Sequence, residues 1–333
     1  MQTHSNEQPT EAIPRIAVPR PSIVCGTDFS EPAAKALEVA AAFAKHLNEP
    51  LVVVHAVNDK QQENLPGELR DSLALYARSQ LHNEEERLRA SQVELTQVLR
   101  AGLPHAVLLE ESATHHARLL VLAAGKKRLL SRWLLGGVAE RVAESTETPT
   151  LVVRDATPFL LWMQRKRRLR VLVGADFSAP SDAALRWVGW FQQLEPCDVV
   201  VAYLEPGLAP CAADDIYPPQ LVAAEVLETL RMQKRHFRRR VRALLGRNHA
   251  RVRFAEDWGR SDAHLIQLAA EERADLIVTG THSRHGWQRL GHHSVSRGVL
   301  RYAPVNVACV PVRTSESVAL PLYRHAIIHP SPP

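Results

Sequence analysis

The sequence predicts an α/β fold of two tandem domains, each built around a five-stranded parallel sheet. The first observation is an internal repeat, because the segment IVCGTDFSEP at residues 23–32 returns at residues 171–180 as VLVGADFSAP. The second is the length of 333 residues, which suits two domains of about 150 residues each. The third is the alternation of β-rich apolar runs with helical segments in both halves, which is typical of parallel sheets covered by helices.

We divide the chain into five segments. Residues 1–20 and 314–333 are expected to be weakly structured tails. Residues 21–154 and 169–313 are the two predicted domains, and residues 155–168 are a linker that is first apolar and then basic.

The third helix of the first domain is predicted to be truncated. Leu81, Leu88, Leu95 and Leu99 suggest one long helix, which the sequence Gly-Leu-Pro at residues 102–104 would end. A strand is then predicted over residues 106–109, and only residues 110–118 remain for the next helix. The second domain has room for a full helix at residues 263–272.

The composition is typical of a soluble globular protein, with 45% hydrophobic and 23% charged residues. The first twenty residues lack the apolar core of a signal peptide, and no run approaches the ~20 apolar residues of a membrane span. The four cysteines have no paired spacing, which favours reduced thiols over a disulfide framework. We therefore expect a cytoplasmic protein.

A carboxylate follows the first strand of each half. Asp28 comes after the run at residues 22–27, and Asp176 comes after the run at residues 171–175. Open α/β sheets bind ligands beyond the carboxyl ends of their strands, so both carboxylates are candidate ligand groups. The alternative is a structural role, because Asp-x-Ser before a helix also suits capping.

Three further motifs accompany the repeat. They are VVHAV at residues 53–57, TGTHSR at residues 279–284, and the segment at residues 293–305 that ends LRYAPV. Together with the two Gly-x-Asp-Phe-Ser segments, they resemble the universal stress protein family in its tandem form. The resemblance implies Rossmann-like, adenine-nucleotide alpha-hydrolase-like domains that pair through their last strands. An internal pseudo-dimer would then join through residues 151–153 and 307–312.

The resemblance also implies a nucleotide site in each half. In nucleotide-binding members the Asp after the first strand meets adenine, and a loop of the form G-x2-G-x9-G-[ST] holds ribose and phosphates. Glycines allow close backbone approach to phosphate, and the hydroxyl residue opens a helix whose N-terminus favours anions.

Both loops depart from that pattern. In the second half Gly280 and Ser294 match it, whereas Ser283 and His293 replace two glycines. In the first half Ala123 and Lys126 replace glycines, Gly136 is kept, and Gly137 stands at the hydroxyl position. We therefore expect the better site in the second half. The candidate residues there are Asp176, Gly280, Ser283, His293 and Ser294, and the weaker candidates of the first half are Asp28 and Gly136.

Histidines crowd the second loop. His282, His285, His292 and His293 lie there, and His264 lies on the preceding helix. Imidazoles are common zinc and copper ligands. Because no Cys-x2-Cys or His-Glu-x2-His spacing accompanies them, we assign no metal site and expect solvated loop side chains.

Two basic stretches stand out. In the segment at residues 231–242 the arginines are expected on the solvent-facing side of a helix. The opposite side carries a predicted buried stripe of Leu227, Leu230, Phe237, Val241 and Leu244. No aromatic platform for bases accompanies them, so no specific nucleic-acid site is predicted, and contact with a polyanion or an acidic membrane surface stays an alternative. In the linker, Phe159, Leu161 and Trp162 are expected to pack between the domains rather than form an interfacial membrane helix.

The preferred function is a non-enzymatic stress-response or regulatory module that binds ATP, another adenine nucleotide or a different phosphate-bearing molecule. No Ser–His–Asp, paired-carboxylate or reactive-cysteine arrangement points to catalysis. The alternatives are slow ATP hydrolysis at the second site, and a protein-interaction scaffold or other ligand or metal binder with both nucleotide sites lost. The protein partner and any further dimerisation stay open.

Overall fold

The computed structural model describes residues 20–58, 63, 65–125, 127–129, 132–134, 137–206, 219–246, 250–257, 259–281 and 295–312. The strands of the first half are β1 (Ser22–Gly26), β2 (Leu51–Val57), β3 (Leu95–Ala101), β4 (Ala117–Ala123), β5 (Lys127–Leu129), β6 (Arg132–Leu134) and β7 (Thr150–Val153). The helices of the first half are α1 (Glu31–Leu47), α2 (Gly67–Leu88), α3 (Pro104–Thr114) and α4 (Gly137–Ser145).

The second half repeats the plan. A short helix α5 (Thr157–Met163) connects the two halves. The strands that follow are β8 (Leu169–Gly174), β9 (Cys197–Pro206), β10 (Ala250–Asp257), β11 (Leu276–Thr281) and β12 (Asn306–Pro311). The helices are α6 (Ala179–Phe191), α7 (Pro219–Leu245), α8 (Ser261–Glu271) and α9 (Val295–Tyr302).

The two sheets form one ten-stranded sheet in the order β10-β9-β8-β11-β12-β7-β4-β1-β2-β3. All neighbours are parallel except β7 and β12, which pair antiparallel with Val152 opposite Val307 and Leu151 opposite Ala308. The predicted fold class and the internal pseudo-dimer are therefore confirmed. Because the halves are antiparallel to each other, their carboxyl edges lie on opposite sides of the sheet.

Helices cover both faces of the sheet. One core contains the buried side chains of α1, α5, α6 and α7, and the other contains those of α3, α4, α8 and α9. On the first face an aromatic cluster crosses between the halves. Trp162 stacks on Phe191 at 4.7 Å, and Phe43 of α1 lies 5.9 Å from both Phe159 and Phe191.

The linker is part of this packing. Phe159 and Trp162 are buried as predicted, but Leu160 and Met163 contact the cluster where Leu161 was expected. The helical turn of α5 explains this, because residues spaced three apart share a face. The basic end of the linker is anchored by ion pairs from Arg165 to Glu195 (2.7 Å), from Arg168 to Asp198 (2.6 Å), and from Arg167 to Asp275.

The prediction of a truncated third helix is wrong. Helices α3 and α8 both have 11 residues, and the strand predicted over residues 106–109 lies inside α3. Pro104 occupies the first turn of α3 and Gly102 has φ of +140°, so this segment starts a helix. The preceding helix stops at Leu88, and β3 follows from Leu95.

The apolar stripe predicted on α7 is confirmed in part. Phe237 and Val241 are buried in the core, whereas Leu227 is 52% exposed. Leu227 lies in the N-terminal half of α7, and the packing against the sheet is made by the C-terminal half.

Candidate functional site

The carboxyl edge of the second half is built by the end of β8 and the start of α6. Ser178 is the N-cap of α6, and its hydroxyl accepts a hydrogen bond from the Ser181 amide. Pro180 lies in the first turn, where its missing N–H leaves no intrahelical bond unmade. The chain therefore turns sharply after the strand and presents Asp176 at the sheet edge.

Asp176 is held by two neighbouring residues. Its Oδ1 accepts hydrogen bonds from the Ser178 amide (2.7 Å) and the Ser181 hydroxyl (2.6 Å). The Asp176 amide in turn donates to Ser181 Oγ at 2.9 Å. Although the residue is exposed, neighbouring protein atoms partly desolvate its carboxyl group and disfavour the charge. Hydrogen bonds from the Ser178 and Ser181 hydroxyls and from the Ser178 amide outweigh this desolvation and hold the pKa of Asp176 below its ordinary value. The result is an ionised, oriented carboxylate.

Asp28 occupies the equivalent place with fewer bonds. Its Oδ1 accepts one hydrogen bond, from the Ser30 amide at 3.0 Å. The residue equivalent to Ser181 is Ala33, which has no hydroxyl to offer. Next to it, Phe29 has a positive φ of 60° and stacks on His55 at 4.2 Å, a backbone conformation that Phe177 does not share.

Gly280 lies on β11 beside the start of α6. A Cβ at this position would overlap the carbonyl group of Pro180. Packing alone therefore explains a glycine at this position, because only a residue without a side chain lets the first turn of α6 approach the strand this closely. In the first half the corresponding residue is Ala123, which packs against the same face of the sheet.

The remaining predicted loop residues, Ser283, His293, Ser294 and Gly136, lie outside the described residues, as do His282, His285 and His292. Parts of the first-half loop are described. There β5 and β6 pair as an antiparallel hairpin, with Lys127 opposite Leu134 and Leu129 opposite Arg132. The hairpin strand β6 contacts α9 of the second half. Backbone N–H groups committed to a hairpin are not available to surround a phosphate.

Two features of the second edge were not predicted from the sequence, the Ser181 hydroxyl and the contact of His264 with Asp257. Ser181 was not singled out, although comparing Ser-Ala-Pro-Ser with Ser-Glu-Pro-Ala of the first half would have revealed the extra hydroxyl. The other group lies between β10 and α8, where Asp257 accepts a hydrogen bond from Ser261 and lies 3.2 Å from Nδ1 of His264. Ser261 and His264 both contact the Asp257 carboxylate, so these contacts hold the first turn of α8 against the end of β10.

Other kinds of site find little support in the described ranges. No set of three His, Cys, Asp or Glu residues suited to a metal ion occurs in them. Cys25, Cys197 and Cys309 are buried free thiols, and burial raises the pKa of both Cys197 and Cys309 to about 12. Among the helices of the described residues, none is long and apolar enough to cross a membrane.

Comparison with known proteins gives consistent results. The sequence profile of the universal stress protein family matches residues 20–154 and 168–311. Universal stress protein MJ0577 of Methanocaldococcus jannaschii is 24% identical over 151 residues, which are 40% of this chain and 93% of that protein.

Two solved structures match most of the chain. A universal stress protein from Archaeoglobus fulgidus has a TM-score of 0.63 at 18% identity, covering 87% of this chain and 98% of its own. A functionally unknown protein from Pseudomonas aeruginosa has a TM-score of 0.60 at 13% identity, covering 88% and 93%. At these identities the likeness shows the fold alone. With the profile matching both halves, the chain belongs to the universal stress protein family as a tandem of two domains.

Proposed function

We propose that this chain is a non-enzymatic regulatory module of the stress response, and that its second domain binds an adenine nucleotide. The observation that carries the proposal is the Asp176 carboxylate, which two hydrogen bonds orient at the carboxyl edge of the sheet. Parallel α/β sheets bind ligands at this edge.

The residues present suit the purine end of such a ligand. An ionised carboxylate accepts hydrogen bonds only, and the exocyclic amino group of adenine is a donor. Asp176 is exposed, and its hydrogen bonds from the Ser178 amide and the Ser181 hydroxyl both go to Oδ1. Because Ser181 already fixes Oδ1, little side-chain freedom would be lost on binding.

The phosphate end would rest on the segment that leads into α9. Ser294 directly precedes Val295, the first residue of α9. A helix N-terminus offers unpaired N–H groups and a favourable dipole to an anion. The kept glycine and hydroxyl of that segment, Gly280 and Ser294, support this half over the first.

The first domain supports binding less well. Asp28 lacks the bond that Ser181 gives Asp176, and the hairpin of β5 and β6 occupies part of the loop. We infer one nucleotide per chain. We also place the protein in the cytoplasm, which the three buried free thiols support.

Calorimetric titration with ATP, with and without Mg²⁺, tests the site. Wild type is expected to bind, and Asp176→Ala to bind at least about tenfold more weakly, since a hydrogen bond to a charged group contributes about 1.5–3 kcal/mol. The matched control Asp28→Ala should bind like wild type. No heat from the wild type would refute nucleotide binding, and an unchanged Asp176→Ala would refute the placement of adenine.

The same proteins decide between a regulatory module and an enzyme. We expect no phosphate release above the protein-free rate during incubation with ATP and Mg²⁺. Release that is abolished by Ser294→Ala would favour slow hydrolysis at the second site. Absence of both binding and release would leave the interaction scaffold as the function.

A further inference from the structure

We propose that the C-terminal half of α7 binds the phosphate backbone of double-stranded nucleic acid. This binding would not depend on the base sequence. The surface, called here the arginine ridge, consists of Arg235, Arg238, Arg239 and Arg242. All four side chains are exposed. Their spacing of three and four residues places them along one side of the helix.

The ridge has few acidic partners. Glu228 pairs with Arg235 at 2.7 Å, and no described carboxylate forms an ion pair with Arg239 or Arg242. Arg238 lies over the ring of Phe254 at 4.9 Å, an interaction that leaves its charge unneutralised. Glu256 lies two residues after Phe254 on β10 and therefore on the same side of the strand, toward the N-terminal half of α7. The positive charge is therefore concentrated toward the C-terminal end.

The helix packs against the core on the side opposite these arginines. Phe237 and Val241 are buried on the opposite side. Arg240 holds α7 to α6 through two hydrogen bonds to the Asp182 carboxylate, at 2.8 and 2.6 Å. The two functions of the arginines are thus separated, because Arg240 stabilises the helix packing and the ridge faces solvent.

The dimensions fit a linear polyanion. Seven residues of helix between Arg235 and Arg242 span about 10 Å. One strand of B-DNA presents a phosphate about every 3.4 Å along the axis, so about three phosphates match the ridge. The guanidinium group is well suited to phosphate, since it offers paired donors in a fixed plane.

The same features argue against two other partners. A single strand bound without sequence preference needs aromatic platforms for its bases, and no Phe, Tyr or Trp lies between Arg235 and Arg242 except the buried Phe237. An interfacial membrane helix needs an apolar face beside its cations. The large apolar side chains described as exposed on α7 are Leu227 and Met232, both of which precede the ridge.

Fluorescence anisotropy with a labelled 20-base-pair DNA duplex tests the proposal on the full chain. Wild type should bind with a dissociation constant of tens of micromolar at about 20 mM salt, and log K should fall with log[salt] at a slope of about −3. The double variant Arg239→Gln/Arg242→Gln should bind more than about tenfold more weakly, with the slope reduced by about two.

The matched control is Arg70→Gln/Arg78→Gln on α2, the equivalent helix of the first half. Both of its arginines are exposed and form no ion pair with described residues. This control should keep the wild-type affinity and slope. An equal loss in the control, or an unchanged ridge variant, would overturn the proposal. Sedimentation with phosphatidylserine-containing vesicles but no duplex binding would overturn it in favour of a membrane surface.

Discussion

The two halves share one fold plan but differ at their carboxyl edges. Each has the sheet order of its partner, a Ser N-cap on the first helix and an Asp two residues before that cap. In the second half the Ser181 hydroxyl donates a hydrogen bond to the carboxylate. In the first half Ala33, at the equivalent position, has no hydroxyl to donate. The shared Asp therefore belongs to the fold, whereas the orientation of its carboxylate depends on a hydroxyl three residues past the N-cap.

The seam between the halves gives the largest expected effect. Trp162 is buried, stacks on Phe191, and donates a hydrogen bond from its indole N–H to the Pro196 carbonyl at 3.1 Å. Trp162→Ala should lower the free energy of unfolding by about 4 kcal/mol. Urea denaturation measures this. A loss below about 1 kcal/mol would mean that the halves are not packed together through α5.

The two halves also differ at Gly280 on β11, whose counterpart in the first half is Ala123. Gly280→Ala should destabilise the protein by about 3 kcal/mol, because the new methyl group meets the Pro180 carbonyl and α6 must shift. The reverse change in the first half, Ala123→Gly, should cost only about 1 kcal/mol, through added freedom of the unfolded chain. Similar losses for the two variants in denaturant titrations would contradict the different packing of α1 and α6.

The hydrogen bond from the Ser181 hydroxyl to Asp176 can be removed by substitution, and a hydroxyl can be introduced at the equivalent position of the first half. In Ser181→Ala the pKa of Asp176 should rise, since a hydrogen bond to its charged form is lost, and stability at pH 7 should fall by about 1 kcal/mol. Because the folded pKa is depressed, the stabilisation is present above the ordinary carboxyl pKa and disappears as pH falls through the folded value. NMR titration of the carboxyl carbon measures the shift.

The converse variant is Ala33→Ser, which would offer Asp28 the hydroxyl that Ser181 gives Asp176. If Ser181→Ala left the Asp176 titration unchanged, the asymmetry between the carboxylates would have another cause.

The smallest effect is expected for a pair that crosses the seam at the surface. Arg297 of α9 lies 2.5 Å from Glu144 and 3.4 Å from Glu140 of α4, and its side chain is 44% exposed. Arg297→Gln should therefore change the free energy of unfolding by about 0.5 kcal/mol, less at high salt. A loss above about 2 kcal/mol would show that α4 and α9, rather than the strands and aromatic cluster, hold the halves together.

Much of the fold could be predicted from the sequence. The repeat fixed the two-domain plan, and the continuous β-rich runs marked the buried parallel strands. The pairing of β7 with β12 came from the family resemblance and is seen residue by residue. The region between Leu88 and Thr114 was misread because leucines spaced like a helical stripe continue into β3. The Gly-Leu-Pro sequence at residues 102–104 predicts a helix end, although proline also begins helices, as it does here at α3.

The site was harder to predict than the fold. Asp176 and Gly280 were found from their motif, but Ser181 acts through a local turn that no motif marks. The structural role of Gly280 depends on how closely α6 approaches β11, a distance set by packing across the fold. Likewise, the hairpin of β5 and β6 depends on contact with α9, far away in the sequence.

Native mass spectrometry of the full chain with ATP shows whether the second domain alone binds nucleotide, because it counts ligands per chain. We expect saturation at one nucleotide in wild type and in Asp28→Ala, and none retained by Asp176→Ala at the same concentration. Two nucleotides per wild-type chain, or one that persists in Asp176→Ala and is lost in Asp28→Ala, would contradict it.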